Sequence, residues 1–92
     1  MRVRWLLRAV DDLGGIRNFI ARESPSAAAS ETDKVLAAVK RLGDYPASGR
    51  PGRVPDTREL VASSYIVAYR VREGAVQVLR VLHGARTWPE TL

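Results

Sequence analysis

Residues Thr57–Pro89 read TRELVASSYIVAYRVREGAVQVLRVLHGARTWP, and this stretch decides the fold. Two runs rich in β-branched and aromatic residues, Tyr65–Arg72 and Ala75–His83, flank the short polar joint Glu73-Gly74. Val67, Tyr69 and Val71 alternate with Ile66, Ala68, Arg70 and Arg72, and the second run repeats the habit with Val76, Val78, Arg80 and Leu82. Alternation with period two, joined through glycine, is the pattern of a β-hairpin. Thr57–Val61 forms a third candidate strand, turned back through Ser63-Ser64. The reading is a three-stranded antiparallel meander whose last strand runs into His83, Arg86 and Trp88, gathering polar chemistry at one rim.

Immediately upstream, residues 44–56 (DYPASGRPGRVPD) hold three prolines and two glycines in thirteen positions. Such a segment is predicted to lack regular structure and to hold Arg50 and Arg53 out from the body. Before it lie two helical patterns. Ser24-Pro25 supplies an N-cap and a first-turn proline. The helix that follows is predicted to run to about Leu42 on a stripe of Ala28, Val35, Leu36, Val39 and Leu42, with Gly43 as its C-terminal cap and Pro46 forbidding continuation. Ala9–Arg22 reads as the other helix, with Ala9, Leu13, Ile16, Phe19 and Ile20 inward and Asp11-Asp12 in its first turn, complementing the dipole. Gly14-Gly15 costs this helix about 1 kcal/mol per glycine relative to alanine, and either marks a weak spot or lets the neighbouring helix approach. Val3–Leu6 is a possible short first strand.

The fold expected is α+β: an N-terminal strand, an antiparallel helix hairpin and the meander, with the helices on one face of the sheet. The other face is expected to stay open, an apolar surface among arginines that suits a partner. Ninety-two residues form one domain (1–92), near the lower size for a self-sufficient core. The chain has no cysteine and one histidine, so disulfides, thiolate metal sites and His-rich sites are excluded, and no cofactor is expected. No apolar run has the length of a signal peptide or a membrane span, which makes the cytoplasm the default location and a membrane partner unexpected. The net charge is +5, and residues 50–86 carry seven arginines against Asp56, Glu59 and Glu73. That excess favours an anionic partner on the sheet half, an acidic peptide or nucleic acid, unless it reflects arginine bias alone.

TRELV, YIVAYRV and VLRVLHGARTWP, with Ala9-x-x-Asp12-Leu13-x-x-Ile16, Phe19-Ile20-Ala21 and Pro46…Gly49-Arg50-x-Gly52-Arg53 upstream, resemble the ParE/RelE superfamily, toxins of bacterial type II toxin–antitoxin pairs. The resemblance spans roughly residues 3–89 and is closest to the ParE-like branch. It implies a cognate antitoxin, a hetero-oligomer with it, and inhibition of DNA gyrase by protein contact without catalysis. Two alternatives stay open. One is a ribosome-dependent messenger-RNA endoribonuclease of RelE type; the other is a degenerate, non-toxic antitoxin-binding module.

For the ribonuclease, His83 is the natural proton carrier, Tyr65 a hydroxyl donor, and Arg58, Arg80 and Arg86 sources of positive charge. The sequence departs from that pattern: no lysine follows Lys40, and the third strand is apolar at Ile66-Val67-Ala68. For a protein partner, the contact candidates are Arg50, Arg53, Arg58, Arg80, Arg86 and Trp88. Arg50, Arg53 and Arg86 are expected to meet Trp88 in one exposed rim. Arg58-Glu59 reads either as a local ion pair or as an anchor for an acidic partner. Trp88-Pro89 reads either as a latch on the core or as a ligand platform, and Trp5 as core, its indole N–H needing an acceptor if buried.

Overall fold

The computed structural model describes residues 1–92. The elements are β1 (Arg2–Trp5), α1 (Leu7–Ala21), α2 (Pro25–Leu42), β2 (Arg50–Pro51), β3 (Arg58–Ala62), β4 (Tyr65–Arg72) and β5 (Ala75–His83). They build one five-stranded sheet in the order β1-β5-β4-β3-β2. The meander is as read from the sequence. The β4–β5 joint puts Glu73 at φ 55° and Gly74 at φ 72°, the two positive angles that a tight two-residue hairpin turn requires. No helix is long and apolar enough to cross a membrane.

The helix hairpin covers one face. Ser24 caps α2 by accepting the Ala27 N–H at 3.2 Å. Ala28, Thr32, Val35, Val39 and Leu42 then turn inward, at alternating spacings of four and three residues. Ala9, Val35, Val39, Val67, Val78 and Val81 form the main core cluster, with Trp5, Leu13 and Ile16 packed against it. Leu36 and Phe19, expected on the apolar stripes, point outward instead, Phe19 at 71% exposure. Gly43 keeps a right-handed φ of −61°, so α2 ends in a tightened turn rather than a left-handed cap. Nothing lies near either glycine of Gly14-Gly15, so the pair does not serve close helix packing.

Four features add to the reading of the sequence or differ from it. β1 pairs in parallel with β5, Arg2 opposite Ala75 and Trp5 opposite Val78, which makes β5 an interior strand. Arg50-Pro51, inside the segment expected to be irregular, forms a two-residue strand on β3. Proline is tolerated there because the strand is an edge. The β4–β5 register slips between Ala68 and Tyr69, leaving Leu79 as an extra residue. That bulge reverses the alternation, so Val76, Val78 and Val81 face the helices where strict alternation would have sent Leu82.

The fourth difference is the second face, which is not open. Ile66, Ala68, Leu79 and Leu82 are all buried. The segment after His83 turns back across them. Gly84 N–H donates to Ser64 O at 3.0 Å and sits against the Ile66 side chain. Trp88 lies half-buried under Arg53, and the carbonyl of Leu92 accepts from Arg8 at 2.8 Å. Leu92 shares a pocket with Leu79 and Arg70 on that face. A two-layer count of helices and strands omits this third layer because the tail carries no regular structure.

Candidate functional site

The expected catalytic candidates divide between two places. Tyr65 and His83 are register partners on β4 and β5, so the sheet brings them together edge to face, ring centres 5.5 Å apart. Arg86 joins them on a groove of about 480 Å³ between α1 and the end of β5. His83 Nδ1 accepts the Ala85 N–H at 3.0 Å, so in the neutral ring that bond places the proton on Nε2. Burial, and then the nearby charge of Glu31, raise the Tyr65 hydroxyl above its ordinary range. Glu31 itself is held low by hydrogen bonds from Ser63 and Lys34.

The groove is not cationic. Asp11 and Asp12 line it with Arg86 as the one arginine. Arg80, expected to contribute charge or contact, is tied to Asp12 by two hydrogen bonds, Nε to Oδ2 at 2.7 Å and Nη2 to Oδ1 at 3.0 Å. Both side chains are mostly buried, and the pairing raises Arg80 further. Asp12 Oδ2 also accepts the Val81 N–H at 2.9 Å. That donor lies on the edge of β5 beyond the reach of β1, so one carboxylate closes the ladder and pins α1 to the sheet. Asp11 and Asp12 therefore lie past the first turn of α1, which starts at Leu7, and do not serve its dipole.

Arg58 lies elsewhere. It donates to the carbonyls of Gly49 (2.8 Å) and Ala47 (3.4 Å), fixing the loop before β2. Its neighbour Glu59 is 4% exposed and pairs not with Arg58 but with two other arginines. Arg50 Nη2 reaches Oε1 at 3.3 Å, and Arg53 gives its backbone N–H (2.8 Å), Nε (3.1 Å) and Nη2 (3.2 Å). Burial works to raise Glu59, and the bonds from Arg53 and Arg50 outweigh it, leaving the group below the ordinary carboxylate range. The loop arginines are thus drawn onto the body rather than held out from it.

Arg53 also stacks on the Trp88 ring, its guanidinium carbon 3.9 Å from the centroid. The expected rim of Arg50, Arg53, Arg86 and Trp88 is therefore assembled in part: Arg53 meets Trp88, Arg50 joins Arg53 on Glu59, and Arg86 belongs to the His83 groove. The unmet indole is that of Trp88, whose Nε1 is buried without an acceptor, and not that of Trp5. Glu59 and Asp12 are the organising residues that the sequence did not reveal. A single carboxylate on an inward strand position, beside an arginine-rich loop, is the signal Glu59 carried. No group of three or more His, Cys, Asp or Glu residues is placed to hold a metal ion.

Against known proteins, the family described as the ParE toxin of type II toxin–antitoxin systems, parDE, matches residues 3–88. Y4kP of Sinorhizobium fredii, a toxin by name, is 44% identical over 99% of this chain and 96% of its own. Toxin RelE2 of Caulobacter vibrioides is 34% identical, over 92% and 97%. Among solved structures, the chromosomal ParDE system from P. aeruginosa superposes with a TM-score of 0.80 at 26% identity, covering 90% of this chain and 95% of that one. The toxin–antitoxin complex RelBE2 from Mycobacterium tuberculosis gives 0.62 at 25% identity, over 89% and 95%.

Proposed function

Since the chain belongs to the ParE toxin family of type II toxin–antitoxin systems, we propose that it is a toxin held inactive by a cognate antitoxin, and that it acts on DNA gyrase by direct contact rather than by cleaving RNA. The antitoxin follows from the company of its structural relatives, which are toxin–antitoxin systems and complexes. The choice of a non-catalytic mode rests on one observation, the disposition of cations around His83. RNA cleavage needs positive charge on the scissile phosphate and a base for the 2′-hydroxyl. Here the groove offers Arg86 against Asp11 and Asp12, Arg80 is neutralised by Asp12, and Arg58 lies by the loop carbonyls. His83 Nδ1 is already engaged by the Ala85 N–H. With Asp12 spent on Arg80, Asp11 and Arg86 balance, so the groove offers a polyanion no net positive charge.

The test compares wild type with His83→Ala and Tyr65→Phe. Purified proteins are assayed for gyrase supercoiling and cleavage-complex formation, and for transcript cleavage on translating ribosomes. Gyrase inhibition by all three, with intact transcripts, is the expected result. A general acid–base group contributes about 10²–10⁴-fold to a rate. Transcript cleavage by wild type that drops by such a factor in folded His83→Ala would replace this reading with the ribonuclease one.

A further inference from the structure

The sheet has one unfinished edge. β2 covers β3 only through Arg50 opposite Glu59 and Pro51 opposite Arg58. The two-residue turn Ser63-Ser64 makes Ala62–Tyr65 a hydrogen-bonded pair, so by alternation Val61–Ile66 is a non-bonded one. The N–H and C=O of Val61 therefore point outward, away from β4. They meet nothing, because the chain leaves β3 just before β2. Gly49 N–H turns to the Tyr69 hydroxyl at 2.9 Å, and Ser48 N–H closes a turn on Tyr45 O at 3.1 Å. Only glycine fits at position 49, where a Cβ would stand 2.6 Å from the Tyr69 oxygen.

The departure opens a gap of about 390 Å³ beside the free edge, lined by Ala38, Arg41, Tyr45, Ser48, Leu60 and Val61. Its walls are mostly apolar, and Val61 (58%) and Tyr45 (61%) are exposed. Arg41 is in no ion pair, and no carboxylate lines the gap. A backbone edge, an apolar slot beside it and one unpaired guanidinium are the three parts of a strand-addition site for an acidic segment.

We infer that the antitoxin adds an extended, acidic segment to β3 at Val61, with an apolar side chain in the slot between Ala38 and Leu60 and a carboxylate on Arg41. This rests on the toxin–antitoxin reading above and adds its surface and chemistry. A second copy of the chain is disfavoured as occupant because each copy carries +5.

Val61→Pro tests it. Proline removes an N–H that the fold does not use, at an edge position where it is tolerated. Val61→Thr keeps the N–H and the strand preference, and Arg41→Glu reverses the charge. The probe is the purified antitoxin encoded beside the toxin gene, titrated calorimetrically into each variant, with amide exchange at Val61 followed in the complex. Wild type and Val61→Thr should bind alike, and Val61→Pro and Arg41→Glu should each weaken binding by about tenfold or more, ~1.4 kcal/mol. The Val61 amide should become protected on binding. Wild-type affinity in folded Val61→Pro, or an unprotected Val61 amide, overturns the edge assignment while leaving the toxin–antitoxin reading intact. Should Val61→Pro not fold, undiminished binding by Arg41→Glu or an unprotected amide overturns it equally. Wild type that ignores the antitoxin removes the underlying reading as well. Self-association abolished by Val61→Pro would hand the edge to a second copy.

Discussion

Glu59→Ala is the most informative stability perturbation. The substitution removes the one anion facing Arg50 and Arg53 and leaves the Arg53 backbone N–H without its 2.8 Å acceptor. Removing one partner of a buried ion pair costs about 3–5 kcal/mol, because the remaining charge stays poorly solvated. Arg50 and Arg53 are 56% and 45% exposed, so water relieves part of that and the lower end, about 3 kcal/mol, is expected. In a domain of this size 1 kcal/mol moves Tm by roughly 4–8 °C, so the fall is roughly 12–24 °C. Arg50→Ala, cutting only a long and exposed contact, should cost under about 1 kcal/mol. The pH arm has a definite sign. Glu59 is lowered in the folded chain, so its stabilisation is present above the unfolded value of 4.5 and disappears as pH falls through the folded one. Urea unfolding of wild type and Glu59→Gln at a series of pH values from 7 to 3 reads both effects. The reasoning is refuted if Glu59→Ala lies within about 1 kcal/mol of wild type, below the usual cost of breaking a buried pair. It is equally refuted if the two acid limbs have the same slope.

Asp12→Asn and Arg80→Ala should each destabilise by about 2–4 kcal/mol, and the double variant by less than their sum, since one two-point pair is broken in all three; urea titration of the cycle checks this. Deleting residues 87–92 removes Trp88 and uncovers Leu79, so Tm should fall by about 10 °C or more, using roughly 4–8 °C per kcal/mol, and a dye that binds exposed apolar surface should bind the product. An unchanged melting transition would show that the tail contributes no cover.

The legible part of this fold was what local chemistry encodes. Period-two alternation and the Glu73-Gly74 joint gave the three long strands, and Ser24-Pro25 gave the start of α2. What escaped depends on contacts between distant residues. Four residues from Arg2 to Trp5 carry no record of which strand they join. Leu79 fits strict alternation as well as it fits a bulge. Exposure of Phe19 follows from the crossing of α1 over β5, which no stripe on a single helix reports. The candidate site was legible as a set of residue types and not as a set of partners. Arg50, Arg53 and Arg80 are legible as cations, but the sequence does not say that Glu59 ties down the first two and Asp12 the third.

The parallel pairing of β1 with β5 sets the order in which this chain can become a structure at all. Arg2 waits for Ala75, so the strand at one edge of the sheet and the neighbour it pairs with are separated by most of the sequence. Synthesis at roughly 5–20 residues per second leaves the helix hairpin without its sheet for several seconds on the ribosome. Closing so long a loop also makes folding slow relative to a bundle with local contacts. A message truncated before Ala75 lacks β5, the strand on which both β1 and β4 pair, and leaves the helix pair and the β3–β4 hairpin without the strand that joins β1 to the sheet.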